Sequence, residues 1–230
     1  MHDEHSERQT PGPAAARIFL RPVASSLPLG LFSFGMGTIL LSADQLHWVP
    51  LRHTGQLFVL MLVFVVPLQL LAGVLAFLAR DSDAAASMPT LGATWGGTAV
   101  LSLLQPPGAR SLALAVFLLS AAAFVLMLGL VAFAGKRVLG VLLTLAAVRY
   151  ALDGVYELTG VGAVQTASGC LGVALAGIAL YGGTAALLEE MTERSPLPLG
   201  RRGRARTAVT GTLSDQLVTV RNEAGVRRQL

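Results

Sequence analysis

The chain has 230 residues, 53% of them hydrophobic and only 13% charged, and its mean hydropathy is +0.65. Soluble domains carry about 25% charged residues, so a water-facing globular fold is excluded, and the length allows one helical bundle with tails rather than two domains. The formal net charge of +4 comes mainly from the C-terminal end, a distribution that fits membrane topology and argues against nucleic-acid binding.

Between Leu27 and Leu188 the sequence is almost wholly apolar, broken by short polar hinges. About twenty apolar residues span the hydrocarbon core as a helix, and a backbone in lipid has to close its own hydrogen bonds. The expected fold is therefore an all-α integral membrane bundle of six transmembrane helices. Residues 1–25 are polar and proline-bearing, and are expected to form a flexible cytoplasmic segment that is not cleaved as a signal. The bundle is expected over residues 26–191. Its first helix runs from about Leu27, with Pro28 in the first turn where a missing N–H costs little, to Leu46, where His47, Trp48 and Pro50 end it. The second runs from Gly55 to Leu78, with Pro67 and Gln69 in its middle. The third is expected from Ala85 to Leu104, with Met88-Pro89-Thr90 interrupting its start and Gln105-Pro106-Pro107-Gly108 closing it. The fourth spans Ser111 to Ala134, the fifth Val138 to Leu158, and the sixth Val164 to Leu188. Residues 192–230 form a basic tail, expected to be mobile and cytoplasmic. Leu217-Val218-Thr219-Val220 before Asn222-Glu223-Ala224-Gly225 could pair as a hairpin there, which alone is marginal.

Of the 17 basic residues, Arg8, Arg17, Arg21, Arg80, Lys136, Arg137 and the eight arginines of the tail fall on one side of a six-span layout. The other side receives Arg52 and Arg110, and Arg149 lies within a span. Excess Lys and Arg mark the cytoplasmic side, so both termini are expected there.

Two patterns inside the spans carry information. Gly30, Ser33 and Gly37 in the first helix, and Gly169, Gly172 and Ala176 in the last, recur at helical spacing, as small residues do where helices pack closely in lipid. Arg149, Asp153 and Glu157 lie four residues apart on one stripe of the fifth helix, with about 12 Å of rise from first to last. Ionisable groups within a membrane are costly and mark pathways or relays. A structural pair fixing helix register is the plain reading; a polar lane that takes an anion at Arg149 and passes protons through Asp153 or Glu157 is the functional one. Cys170 lies within an apolar run and reads as a packing residue.

The run Leu27 to Leu41, LPLGLFSFGMGTILL, resembles the opening signature of the acetate uptake transporter family, which includes bacterial succinate–acetate permeases and yeast acetate and ammonium-export proteins. Pro28, Leu29, Gly30 and Gly35 stand at the motif positions. Gln69 with Ala72-Gly73, Gly92 with Trp95, Gly135 with Arg137-Val138, and Tyr181 with Glu190 continue the similarity over residues 26–191. The resemblance implies a six-helix channel-like transporter of acetate or related small carboxylates moved with protons, in the cell (inner or plasma) membrane, as a homo-oligomer, specifically a hexamer with one hourglass pathway per protomer. It places Phe34 at the aromatic that narrows the pathway. The chain departs from the family in having Ser25-Ser26 where the motif leads with Asn-Pro, Leu91 where the family has a tyrosine, and Thr94 where an aromatic follows.

A small carboxylate needs hydrogen-bond donors in place of water and a narrow apolar gate. Ser33, Thr38 and Gln69 are candidate donors, with the helix N-terminus at Pro28; Phe34, Leu91 and Trp95 are candidate walls. Each also fits plain packing, Gln69 least so, because an amide in lipid seeks a partner or a lumen. Two other readings stay open: a channel for ammonium or a small neutral solute, and a non-transporting membrane protein acting through its basic tail. No enzyme activity, cofactor or metal is expected, since the sequence has no metal-ligand cluster, phosphate loop or nucleophile elbow.

Overall fold

The computed structural model describes residues 24–192, 197–203, 205 and 206. The sequence up to residue 23 and the hairpin expected over 217–225 lie outside the described residues. The described residues form six long helices: α1 Leu27–Gln45, α2 Leu51–Leu78, α3 Ser82–Leu103, α4 Leu112–Ala132, α5 Arg137–Thr159 and α6 Gly162–Thr192. All except α3, which is rich in Ser, Thr and Gly, are long and apolar enough to cross a membrane. Valines, leucines and phenylalanines such as Val63, Phe64, Phe77, Val116, Phe124 and Val131 stand exposed on the outer faces. Water would penalise such a surface, and hydrocarbon does not.

Local chemistry sets the ends. α3 begins at Ser82, three residues before the expected start, because Asp81 caps it by accepting from the Ala84 N–H at 3.2 Å. Ser111 caps α4 in the same way, accepting from Leu114 N–H at 3.2 Å. α5 ends at Gly160, whose φ of 69° is left-handed backbone that glycine adopts without strain. α6 continues to Thr192, beyond the Glu189-Glu190 pair that was expected to end it. Within α2, a π-helical turn over Met61–Val65 precedes Pro67. Proline lacks an N–H and clashes with the carbonyl four residues back, and a widened turn absorbs that misfit. Pro89 was expected to interrupt α3, yet it lies inside an unbroken helix. Its ring seats on α2 at Gly73, where an added Cβ would stand 2.2 Å from the Pro89 Cγ.

Packing follows a closed circuit. α1 packs against α2 and α6, α6 against α5, α5 against α4, α4 against α3, and α3 back against α2. Six helices thus surround an interior instead of stacking in layers. α1 and α5 enter from the same end, where Leu27 and Leu31 meet Val138 and Leu139 around a small cavity. At this basic end Lys136 bonds to Asp81, with Asp83 4.0 Å away. Residues 197–203 also lie here: the N–H groups of Arg137 and Val138 donate to the carbonyls of Gly200 and Leu199 at 3.4 Å, and Arg202 N–H donates to Gly135 O at 2.8 Å. Arg201 pairs with Glu189 at 2.6 Å. This part of the tail therefore supplies acceptors for the first turn of α5, which has no side-chain cap of its own.

The fit of Pro89 on Gly73 predicts that Gly73→Leu destabilises the bundle by about 1–3 kcal/mol, the usual cost of overpacking. Gly177→Ala, on an outward face with no atom within 4 Å, leaves stability unchanged. Unfolding in mixed micelles with rising SDS, followed by helix signal, compares the two.

Candidate functional site

The interior of the ring is filled by long side chains that reach inward from α1, α2, α3 and α5. Nearest the basic end, Gln69 of α2 is fully buried and its Nε2 donates to the Gly30 carbonyl of α1 at 3.0 Å. Gly92 of α3 lies against the Gln69 Cβ, where a side chain would intrude. The other amide atom, Gln69 Oε1, is buried with no partner among the described residues.

At mid-depth three aromatics from three helices meet. Phe34 of α1 and Trp95 of α3 have ring centroids 5.8 Å apart and tilted by 55°. Trp95 and Tyr150 of α5 stand edge to face at 6.1 Å and 78°, the geometry the aromatic quadrupole favours. Each is about 1% exposed, so the interior is filled at this waist. Gly37 lets α1 approach the Trp95 indole, whose Cε2 would lie 3.0 Å from a Cβ at that position. The Trp95 Nε1–H and the Tyr150 hydroxyl have no protein partner among the described residues. Leu91, one turn before Trp95, is fully buried.

Beyond the waist, away from the basic end, Arg149 bridges the gap between α5 and α1. Its Nη1 donates to Thr38 O at 3.2 Å, and its Nη2 to Ser42 Oγ at 3.1 Å and Gln45 Oε1 at 2.9 Å. The same Gln45 donates through Nε2 to Asp153 Oδ1 at 2.6 Å, and Ser168 of α6 also donates to that oxygen. Arg149 and Asp153, expected as a direct pair, are thus joined through an amide; among the described residues no direct ion pair links them. Arg149 Nε and Asp153 Oδ2 have no partner among the described residues. Gly172 of α6 makes room for the network: a Cβ there would stand 2.3 Å from the guanidinium carbon and 2.2 Å from Ser42 Oγ.

Most residues singled out from sequence therefore converge inside the ring: Phe34, Gln69, Leu91, Trp95, Arg149 and Asp153, with Pro28, Gly30 and Gly35 on the buried side of α1. Leu29 is half-buried. Ser33 and Thr38 are buried too, but their hydroxyls donate back to Gly30 O at 3.0 Å and Gly35 O at 2.8 Å, leaving lone pairs rather than protons to offer. Glu157 sits apart, at the helix end, accepting from the Ser111 N–H at 2.6 Å and so serving the start of α4. Sequence reasoning missed Tyr150, Gln45, Ser42 and Ser168. The signal for Gln45 was an amide on α1 at the level of Asp153; for Tyr150, it was a polar aromatic in a span directly beside Arg149.

Among the described residues, no group of His, Cys, Asp and Glu could hold a metal ion. What the interior can do is present neutral donors and acceptors, an aromatic constriction and one guanidinium to a small polar solute.

A sequence profile of the GPR1/FUN34/yaaH family matches residues 7–199, which takes in all six helices. No curated protein sequence matches the chain. Among solved structures it is similar to one described as the structure of the bacterial acetate channel SatP, at 26% identity and a TM-score of 0.68, covering 77% of this chain and 99% of that one. The opening signature at Leu27–Leu41, the ring architecture and the profile agree, and this multi-pass membrane chain belongs to the GPR1/FUN34/yaaH family.

Proposed function

We propose that this protein moves acetate or a related small carboxylate across the cell membrane, one solute per ring, together with protons. The observation that carries the reading is the closed circuit of six helices around an interior with an aromatic waist and unpartnered polar atoms at Gln69, Trp95 and Tyr150. A bundle built only for packing has no reason to leave these atoms unmatched, since each buried unpaired polar group costs about 1–3 kcal/mol. The family, and the acetate channel described for a similar structure, supply the substrate class. In this reading all six helices span the bilayer, the basic end is cytoplasmic, both termini lie on that side, and the exposed apolar faces meet lipid and other copies in a homo-oligomer, a hexamer by the family's habit.

The waist sets the size of what passes, and the neutral polar atoms take over hydrogen bonds from water. A carboxylate carries charge, and moving net charge through a low-dielectric interior is expensive. A proton travelling with each anion removes that cost.

Labelled acetate uptake into liposomes holding the purified protein, with protein-free liposomes subtracted, tests the reading. Uptake is expected to rise as the outside becomes acidic. Gln69→Ala should lower it roughly tenfold, the factor that losing one hydrogen bond of about 1.4 kcal/mol gives. Phe34→Ala should relax discrimination against longer carboxylates. If both variants assemble and behave as the parent, the waist is not the site. Swelling assays with acetamide and ammonium separate the alternative: equal passage of these and no acetate uptake would identify a channel for ammonium or neutral solutes.

A further inference from the structure

The network around Arg149 is built differently from a structural salt bridge. The guanidinium is 1% exposed and the Asp153 carboxylate 5%, yet a carboxamide stands between them. Every acceptor that Arg149 engages is neutral: the Thr38 carbonyl, the Ser42 hydroxyl and the Gln45 amide oxygen. Both donors to Asp153, from Gln45 and Ser168, go to one oxygen, Oδ1. Two buried atoms are left over, the Nε of Arg149 and the Oδ2 of Asp153. Buried polar atoms almost always have partners, and each exception calls for an explanation.

From these leftovers we infer that Arg149 and Asp153 form a joint site for one carboxylate and one proton, with Gln45 holding the two groups apart until both arrive. The residues lie one helical turn apart on α5, about 6 Å of rise. A carboxylate can accept from a guanidinium N–H with one oxygen and from a protonated Asp153 with the other. Asp153 then donates from Oδ2, the oxygen the protein leaves free, while Oδ1 keeps its bonds from Gln45 and Ser168. The inference rests on the reading of this chain as a carboxylate pathway and names where the anion and the proton sit.

Charge makes the two binding events interdependent. With Asp153 ionised, the pair is neutral overall, and an incoming carboxylate meets a like charge beside the guanidinium. A proton from the outside water, added to Oδ2, removes that charge and creates a donor. Carboxylate and proton therefore each raise the affinity for the other, and by linkage they do so equally. The bond formed is Oδ2–H, and it breaks again when the proton returns to water on the other side with the anion. Each cycle moves one carboxylate and one proton, with no net charge.

Other groups surround this site. From α1, Asp44 lies near enough to act electrostatically on Asp153, with His47 just beyond it. α5 itself contributes Arg149, Tyr150 and Glu157, and Arg110, before α4, lies beside Glu157 and the end of α5. α6 presents the neutral Ser168, its Cys170 being exposed, and α4 contains no ionisable residue. Among the described residues, Arg149 is the cation whose charge acts on Asp153, across the gap that Gln45 bridges.

Asp153→Asn copies the protonated acid, because its amide can donate from the position of Oδ2. In the liposome assay it should bring the half-saturating acetate concentration at neutral outside pH down to the parent's value at acidic pH, a change of about tenfold on the scale of common coupling effects, and abolish the pH dependence of uptake. Arg149→Gln should raise half-saturation by tenfold or more for acetate. An Asp153→Asn protein whose uptake keeps the parent's pH profile overturns the inference; so does an Arg149→Gln protein within twofold of the parent. If neither variant assembles, Gln45→Leu decides: it cuts the bridge without changing charge, and unaltered half-saturation and pH dependence count against the site. Absence of acetate uptake by the parent itself would instead overturn the carboxylate pathway.

Discussion

Lipid offers no hydrogen-bond partners, so every polar atom between the two ends of the ring has to find its partner within the protein or wait for a solute. The helices meet this demand for the backbone. Side-chain hydroxyls meet it locally, as Ser33, Thr38, Thr94 and Ser120 do by donating to carbonyls three or four residues back on their own helices. Gln69 and Arg149 are too long for that solution and reach across to α1 instead. The interior is organised by these reaches, because α1, α3 and α5 come together chiefly through Phe34, Trp95, Tyr150 and Arg149 and not by close backbone contact.

Small residues are what permit a ring with so much bulk at its centre. On α6, Gly169 turns toward Leu46, just past the end of α1, Gly172 toward Ser42 of α1, and Gly35 of α1 faces Ala179. The other stripe on α1 has a different use. Gly30 faces Met88 of α3, and Gly37 faces Trp95, so the glycines of the opening signature admit large side chains into the interior as well as letting helices close up. Dispersion between tightly packed atoms is the main force holding helices together in lipid, and the same close approach brings the guanidinium of Arg149 against Gly172.

The helices were legible in the sequence to within a few residues, because hydrocarbon thickness fixes their length and polar hinges mark their ends. Errors fell where a single tertiary contact decides. Pro89 reads as a breaker until Gly73 provides a seat for its ring, and Asp81 reads as part of a hinge until it caps α3. At the site, the stripe Arg149, Asp153 and Glu157 follows from spacing alone, but spacing says nothing of what lies opposite. Gln45, 108 positions from Asp153 in sequence, becomes its partner only because α6 packs against both α1 and α5. Glu157 shares the stripe and not the network, since the start of α4 offers it an unpaired N–H closer at hand. Tyr150 follows Arg149 in the chain, and helix rotation of about 100° per residue turns it toward Trp95 while Arg149 faces α1.

A direct salt bridge between Arg149 and Asp153 would be self-contained: two opposite charges in contact, each matched by the other, with little left to offer a solute. Desolvation makes such a pair no great source of stability, but it would be chemically inert. Placing Gln45 between the charges changes the situation. The amide can accept from the cation and donate to the anion at once, so neither charge is stranded, while the two remain far enough apart to present separate faces. An amide does not titrate, and its two ends cannot satisfy every donor of a guanidinium or every lone pair of a carboxylate. Left without a partner among the described residues are the Nε–H of the guanidinium and the Oδ2 of the carboxylate, of opposite character and one helical turn apart. In a low-dielectric interior such remainders are costly, and a group of complementary charge that met both would remove that cost.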